Sequence, residues 1–195
     1  MPRRRAYHHG NLRAALIEAG LELIEQKGVQ ALTLREIGAR VGVSRSAAYR
    51  HFTDKAGLLA EICEAGFTQF ADALAAARDS ANPDFASRIS AMGVAYIRFA
   101  HEHQAHFEVM FGPLDVPRAS PQGARAFAVL ENTIREGQQS GDVRAGDSAS
   151  LARLVWSLVH GISMLRLERD LAKLDGEAKF TLFCTDILRA GLAPA

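Results

Sequence analysis

The sequence predicts an all-α protein: a small N-terminal three-helix domain built around a helix-turn-helix, then a larger helical domain. Three observations carry this. Apolar residues recur at steps of three and four along most of the chain, whereas period-two alternation is scarce. Two short helical patterns flank a turn that holds Gly42 and the apolar Val43. Basic charge gathers at one end: residues 1–55 carry ten Lys/Arg against five Asp/Glu, while residues 56–195 carry thirteen against seventeen.

Each element follows from local chemistry. In "NLRAALIEAGLELIEQKG", Asn11 suits a cap, Leu12, Leu16, Ala19 and Leu23 form one apolar stripe, and Lys27–Gly28 is a stop. In "TLREIGARVGVSRSAAYRHF", Thr33 and Glu36 have the spacing of a capping box. Ile37 and Val41 lie one turn apart, Gly42 ends the helix, Val43 fills the corner and Ser44 caps the next helix, whose Ala48 and Phe52 face inward. Thr53 or Asp54 caps a longer helix running to about Asp79. Asn82 is expected to cap the following one, with Pro83 in its first turn and Asp84 at the positive end of its dipole. Ile89, Met92, Tyr96 and Phe99 continue that helix to about His103, and a short apolar piece, "HFEVMF", ends at Gly112. "GPLDVPRASPQG", with three Pro and two Gly, is the clearest loop. Helices are expected over 121–139, 148–170 and 176–191, and there is no internal repeat.

The 195 residues leave room for a real core, and a 48% hydrophobic composition argues against disorder. Cys63 and Cys184 are far apart and not in a CxxC pattern, which fits a reducing compartment rather than a disulfide framework or a zinc site. The apolar run from Leu154 to Leu165 is too short to span a bilayer, and "MPRRRAYHHGNLR" lacks the apolar stretch of a secretory signal. The expectation is a cytoplasmic protein without a membrane partner. Neither a GxSxG, a P-loop nor a Rossmann glycine pattern occurs, so no enzyme activity and no cofactor are expected. On a helix His101 points about 160° away from His103, so His101, His103 and His106 do not converge on one metal ion.

The basic end carries the chemistry of a polyanion reader, set against the alternative of an ordinary solvated helix face. A helix-turn-helix lays the start of its second helix along base edges in the major groove. Arg45 there reaches guanine O6 and N7, Ser46 donates or accepts, and the Ala47 methyl suits a thymine methyl. Tyr49, His51 and Lys55 have the reach for phosphate oxygens. Arg3, Arg4 and Arg5 form a short arm, within residues 1–9, for the backbone or the minor groove.

On "TLREIGARVGVS" and "AAYRHFTDKAGLL", residues 10–58 resemble the DNA-binding domain of TetR-family (tetracycline-repressor-like) transcriptional regulators. "WSLVHGIS" at 156–163 resembles a Trp-x-x-x-His-Gly pattern of one C-terminal subgroup. The resemblance implies a DNA-binding domain over 10–55 and a ligand-binding and dimerisation domain over 56–195. It places Tyr49, His51, Lys55 and Thr33 at phosphate-contact positions, and Arg35 and Arg45 where family members touch bases. Gly38 stands where the family pattern has Ala, and Ala47 where many members carry a hydroxyl. The implied partners are a palindromic operator in double-stranded DNA, a second copy of the chain and an unidentified small-molecule effector, with repression more expected than activation. A helical small-molecule carrier without specific DNA binding is the alternative.

Nine of the ten Phe and the only Trp follow residue 56. Met92, Tyr96, Phe99, Phe107, Met110, Phe111, Phe127 and Trp156 either line a cavity for an apolar or aromatic molecule or form plain core. His160 is either a satisfied core or interface group or a polar group in that pocket. The pattern over 148–170 is apolar nearly all round, so it has two faces to bury. Leu158, Ile162 and Leu165, with Phe180, Phe183 and Ile187 of the last helix, are the expected dimer interface, in a four-helix arrangement about a two-fold axis. Burial within a monomer is the alternative.

Overall fold

Side-chain caps set the helix ends of the N-terminal region. In the computed structural model, which describes residues 12–113, 120–167 and 177–194 and only the backbone of 177–182, Leu12–Lys27 forms α1. Asn11 and the arm lie outside the described residues. A 3-10 turn, Val29–Ala31, leads to α2, Leu34–Val41. Thr33 caps α2, its hydroxyl oxygen accepting the Glu36 N–H at 3.1 Å. The Glu36 carboxylate in turn faces Lys27 at 3.7 Å and Arg40 at 4.0 Å. Gly42 sits at φ 80°, a left-handed turn that costs glycine nothing, and Val43 N–H donates back to the Gly38 carbonyl at 2.9 Å. The expected turn is therefore present, and Ser44 caps α3, Arg45–His51, by accepting the Ala47 N–H. Asp54 rather than Thr53 caps α4, Lys55–Ser80, accepting the Gly57 N–H at 2.8 Å.

The cap of α5, Phe85–Glu102, departs from expectation. Asp84, not Asn82, fills that position: its carboxylate accepts the Ser87 N–H at 2.7 Å, and hydrogen bonding to the Ser87 side chain and then to this N–H lowers the Asp84 pKa from its ordinary value. A carboxylate beside the first turn satisfies an orphan N–H and meets the positive dipole end together. Then follow α6, Gln104–Phe111, α7, Pro121–Ser140, α8, Ser148–Leu167, and α9, Glu177–Leu192. Ser120 caps α7, and Gly141 at φ 80° ends it. Among the described residues all regular structure is helical, and no helix is long and apolar enough to cross a membrane.

Packing divides the chain into two units, Met1–Ala65 with Ala105–Arg118, and Gly66–Gln104 with Ala119–Ala195. The division falls later than residue 55 because the first turns of α4 belong to the N-terminal core: Leu58 and Ile62 are fully buried against Gly20 of α1. Leu16, Leu23 and Ile37 complete that core at 0% exposure. On its rim Arg13 pairs with Glu61 and lies over the Phe52 ring at 5.0 Å. In the second unit α5, α7 and α8 pack on one another, with α9 along α8. Glu136 of α7 accepts from two guanidiniums, Arg78 of α4 at 2.5 and 2.7 Å and Arg88 of α5 at 2.9 Å, so one carboxylate joins three helices.

Candidate nucleic-acid interface and apolar core

The turn between α2 and α3 leaves one side of α3 open. Arg45, Ser46, Tyr49 and Arg50 are exposed, and Ser44, Arg45, Ser46 and Tyr49 line an open concavity. The Arg45 guanidinium lies over the Tyr49 ring, 5.2 Å from its centroid. Ser46 Oγ is 3.0 Å from Ser44 Oγ, so the two hydroxyls share a hydrogen bond at the cap. Thr33 and Arg35 are exposed at the start of α2, and His51 is half-buried at the end of α3. Lys55 is also half-buried, its ammonium donating to the Val29 carbonyl at 2.7 Å, which fixes the charge beside the first turn of α4. Arg3, Arg4 and Arg5 lie outside the described residues.

Ala47 is the exception within α3. It is 8% exposed and turns inward with Ala48, so its methyl does not present a surface for a thymine. Ala48 packs on Gly38 of α2, and Ala47 lies with it on the buried side of α3.

The second unit is organised on Phe70, a residue not among those expected to line a pocket. Phe70 of α4 is fully buried, with Tyr96 4.9 Å, Phe99 5.0 Å and Trp156 5.7 Å away between ring centroids. Its spacing from Phe67 and Leu74, at three and four residues, is the signal that marks it in the sequence. Phe127 stands 5.9 Å from Trp156. Met92, Tyr96 and Trp156, with Leu74, Ile89, Gly93, Leu130, Val155 and Val159, line a cavity of about 20 Å³. That is room for a water-sized body. Phe107, Met110 and Phe111 belong to the first unit instead, where Phe107 and Met110 are buried and Phe107 packs 4.7 Å from Phe111.

One polar pair penetrates this apolar cluster. Tyr96 Oη lies 2.9 Å from His160 Nδ1. Burial pushes the Tyr96 hydroxyl well above its usual range and pulls the His160 imidazole down. Both shifts favour a neutral pair, in which the tautomer of the ring sets which partner donates. His160 is half-buried, so the pair sits at the edge of the core rather than at its centre.

On α8 the two apolar faces separate cleanly. Ala152, Val155, Val159 and Ile162 are buried, while Leu154 and Leu165 are 53% and 42% exposed with Leu158 half-exposed between them. Ile162 thus faces its own core at 2% exposure and leaves the expected outer stripe, because it follows Val155 and Val159 by seven and three residues. On α9 Phe183 and Ile187, one turn apart, are 62% and 61% exposed. The Phe180 side chain lies outside the described residues.

Residues 16–62 match the family model described as bacterial regulatory proteins, tetR family, and residues 89–187 match the one described as tetracyclin repressor-like, C-terminal domain. The chain is 41% identical over 56 residues to the tetracycline repressor protein class C of Escherichia coli, a match covering 29% of this chain and 26% of that protein. It therefore spans about a quarter of that curated relative's length. A structure of a protein of unknown function from Rhodococcus sp. RHA1 is similar with a TM-score of 0.85 at 30% identity, over 97% of this chain and 100% of that one. The SmeT–triclosan complex is similar with a TM-score of 0.66 at 22% identity, over 93% and 91% of the two chains, a likeness of fold.

Proposed function

The chain belongs to the tetR family of bacterial regulatory proteins, and from that premise we propose that it is a homodimeric, non-enzymatic repressor released from a palindromic operator by a small apolar or aromatic molecule. The observation that carries this is the exposed side of α3: Arg45, Ser46 and Tyr49 project from a helix whose other side is buried against α2. In this reading Arg45, Ser46 and Arg35 meet bases. Thr33, Tyr49, His51 and Lys55 hold phosphates, and Arg3–Arg5 follow the duplex beside them. The exposed stripes Leu154–Leu158–Leu165 and Phe183–Ile187 form the dimer contact, since unpartnered apolar patches of this kind mark association surfaces. Repression is favoured over activation by likeness to a protein named as a repressor. The Trp-x-x-x-His-Gly subgroup rests on Trp156, His160 and Gly161 alone.

The effector belongs in the cluster around Trp156 and Tyr96. A complex with triclosan on the same fold supports an aromatic ligand class. The cavity is far smaller than the roughly 300 Å³ or more of a ligand pocket, so entry requires the Tyr96–Trp156 contact to open. Shifting the protein from almost fully bound to almost fully released requires about 10⁴-fold preference of the effector for the released state. A gel shift with the DNA upstream of the protein's own gene tests the proposal. The expected result is a sequence-specific complex that Arg45→Ala weakens about 5- to 150-fold. Weak, purely salt-sensitive binding to every duplex would point instead to a helical carrier.

A further inference from the structure

We propose that Tyr49 is a positioning residue for Arg45, and that the stacked pair directs discrimination at one G·C base pair in each half-site. The proposal rests on the DNA-binding reading above and goes one step past it, by giving Tyr49 a second task besides its phosphate contact.

Arg45 is the first residue of α3 and Tyr49 lies four residues on, the spacing at which two side chains share a helix face. The guanidinium carbon stands 5.2 Å from the ring centroid, within the roughly 6 Å over which a cation is held by an aromatic face. Both residues are exposed, and among the described residues no carboxylate competes for Arg45. A guanidinium held face-on over a ring has one face covered and its edges clear. Its N–H fork lies in the guanidinium plane and stays available at the edges, where guanine O6 and N7 accept two parallel bonds. A long, flexible side chain is thereby limited to few rotamers before DNA arrives.

The neighbours leave this pair the main burden at the start of the helix. Ala47 and Ala48 are buried. The Ser46 hydroxyl already shares a hydrogen bond with Ser44. A guanidinium fork on guanine discriminates against a wrong base by about 5- to 150-fold. Stacking at an exposed site contributes about two- to fivefold of pre-ordering.

The test separates the ring of Tyr49 from its hydroxyl. Full-length protein selects from duplexes carrying about 30 randomised base pairs, and the recovered site and its G·C to A·T variants are then titrated with wild type, Arg45→Ala, Tyr49→Phe and Tyr49→Ala. The expected result is a palindrome with a G·C column that Arg45→Ala erases. Tyr49→Phe keeps discrimination at that column even where overall affinity falls, Tyr49→Ala lowers it about two- to fivefold, and Tyr49→Ala adds nothing in the Arg45→Ala background. Equal effects of Tyr49→Phe and Tyr49→Ala, uniform over all duplexes, would leave Tyr49 a phosphate anchor and overturn the pairing. So would a G·C column that survives Arg45→Ala. Recovery of no palindrome at all would overturn the regulator reading itself, a failure distinguishable from the other two.

Discussion

Replacing glycine by alanine at two helical positions should move stability in opposite directions. Gly38 lies within α2 and Gly137 within α7, and alanine relieves the conformational cost of glycine in a helix by about 1 kcal/mol at either. What the new methyl meets decides the sign. At Gly38 it would sit 3.4 Å from the Ala48 Cβ and 3.7 Å from the Val43 carbonyl oxygen, contact distances that displace nothing. Gly38→Ala should therefore stabilise by about 0.5–1 kcal/mol, and α3 keeps its place, so DNA affinity is unchanged. At Gly137 the methyl would sit 2.6 Å from Val143 Cγ2 and 2.7 Å from Phe85 Cδ2, and both neighbours are buried. Overpacking of this kind costs about 1–3 kcal/mol, so Gly137→Ala should be destabilising by up to about 2 kcal/mol after the helix gain is set against it. Urea unfolding followed by circular dichroism reads both; in thermal melts the shifts are about 2–4 °C per kcal/mol for a chain of this size. If both variants are stabilised alike, the close approach of α7 to Phe85 and Val143 is not as described.

Three further outcomes follow from other parts of the molecule. Removing Arg3–Arg5 should weaken binding to all duplexes and flatten the salt dependence by about one logarithmic unit of slope for each phosphate the arm had neutralised, read from gel shifts between about 50 and 200 mM salt; an unchanged slope excludes the arm. Ile187→Arg with Phe183→Asp should yield monomers in sedimentation with helicity intact, because both side chains are exposed in the single chain; a persisting dimer would place the interface elsewhere. Burial lowers the His160 pKa, so the folded chain takes up that proton at lower pH than the unfolded one. This contribution to stability is present above pH about 6.5 and is lost as pH falls from there toward the folded value. Melts from about pH 7.5 to 5.5 should fall less steeply for His160→Gln than for wild type, and parallel curves would refute the assignment.

The features legible in the sequence are those whose cause is local. Thr33, Ser44, Gly42 and Asp54 act on residues within four positions, and each does in the structure what its chemistry predicts. Asn82 misled because Asn82 and Asp84 both have cap chemistry two residues apart, and only geometry shows that the Asp84 carboxylate reaches the Ser87 N–H. Ala47 misled because a helix of about two turns shows too little periodicity to fix its phase, and the contact of Ala48 with Gly38 is long-range information that the local pattern lacks. Ile162 misled for the opposite reason. Where a helix is apolar all round, the pattern contains no outside, and packing on α5 and α7 has to supply one.

The least legible feature is the one the proposed switch depends on. Phe70, Tyr96 and Trp156 come from three helices, and Arg78, Arg88 and Glu136 from α4, α5 and α7, with sequence separations of 48 and 58 between the ionic partners. No periodicity marks such groups as neighbours. Yet their juxtaposition gives α4 two attachments inside the second unit, an aromatic one at Phe70 and an ionic one at Arg78. Arg78 is just over two helical turns beyond Phe70, so the two attachments fix the direction of α4 as well as its position. In the proposed switch, an effector that parts Trp156 from Tyr96 removes the support under Phe70 while Glu136 still holds Arg78.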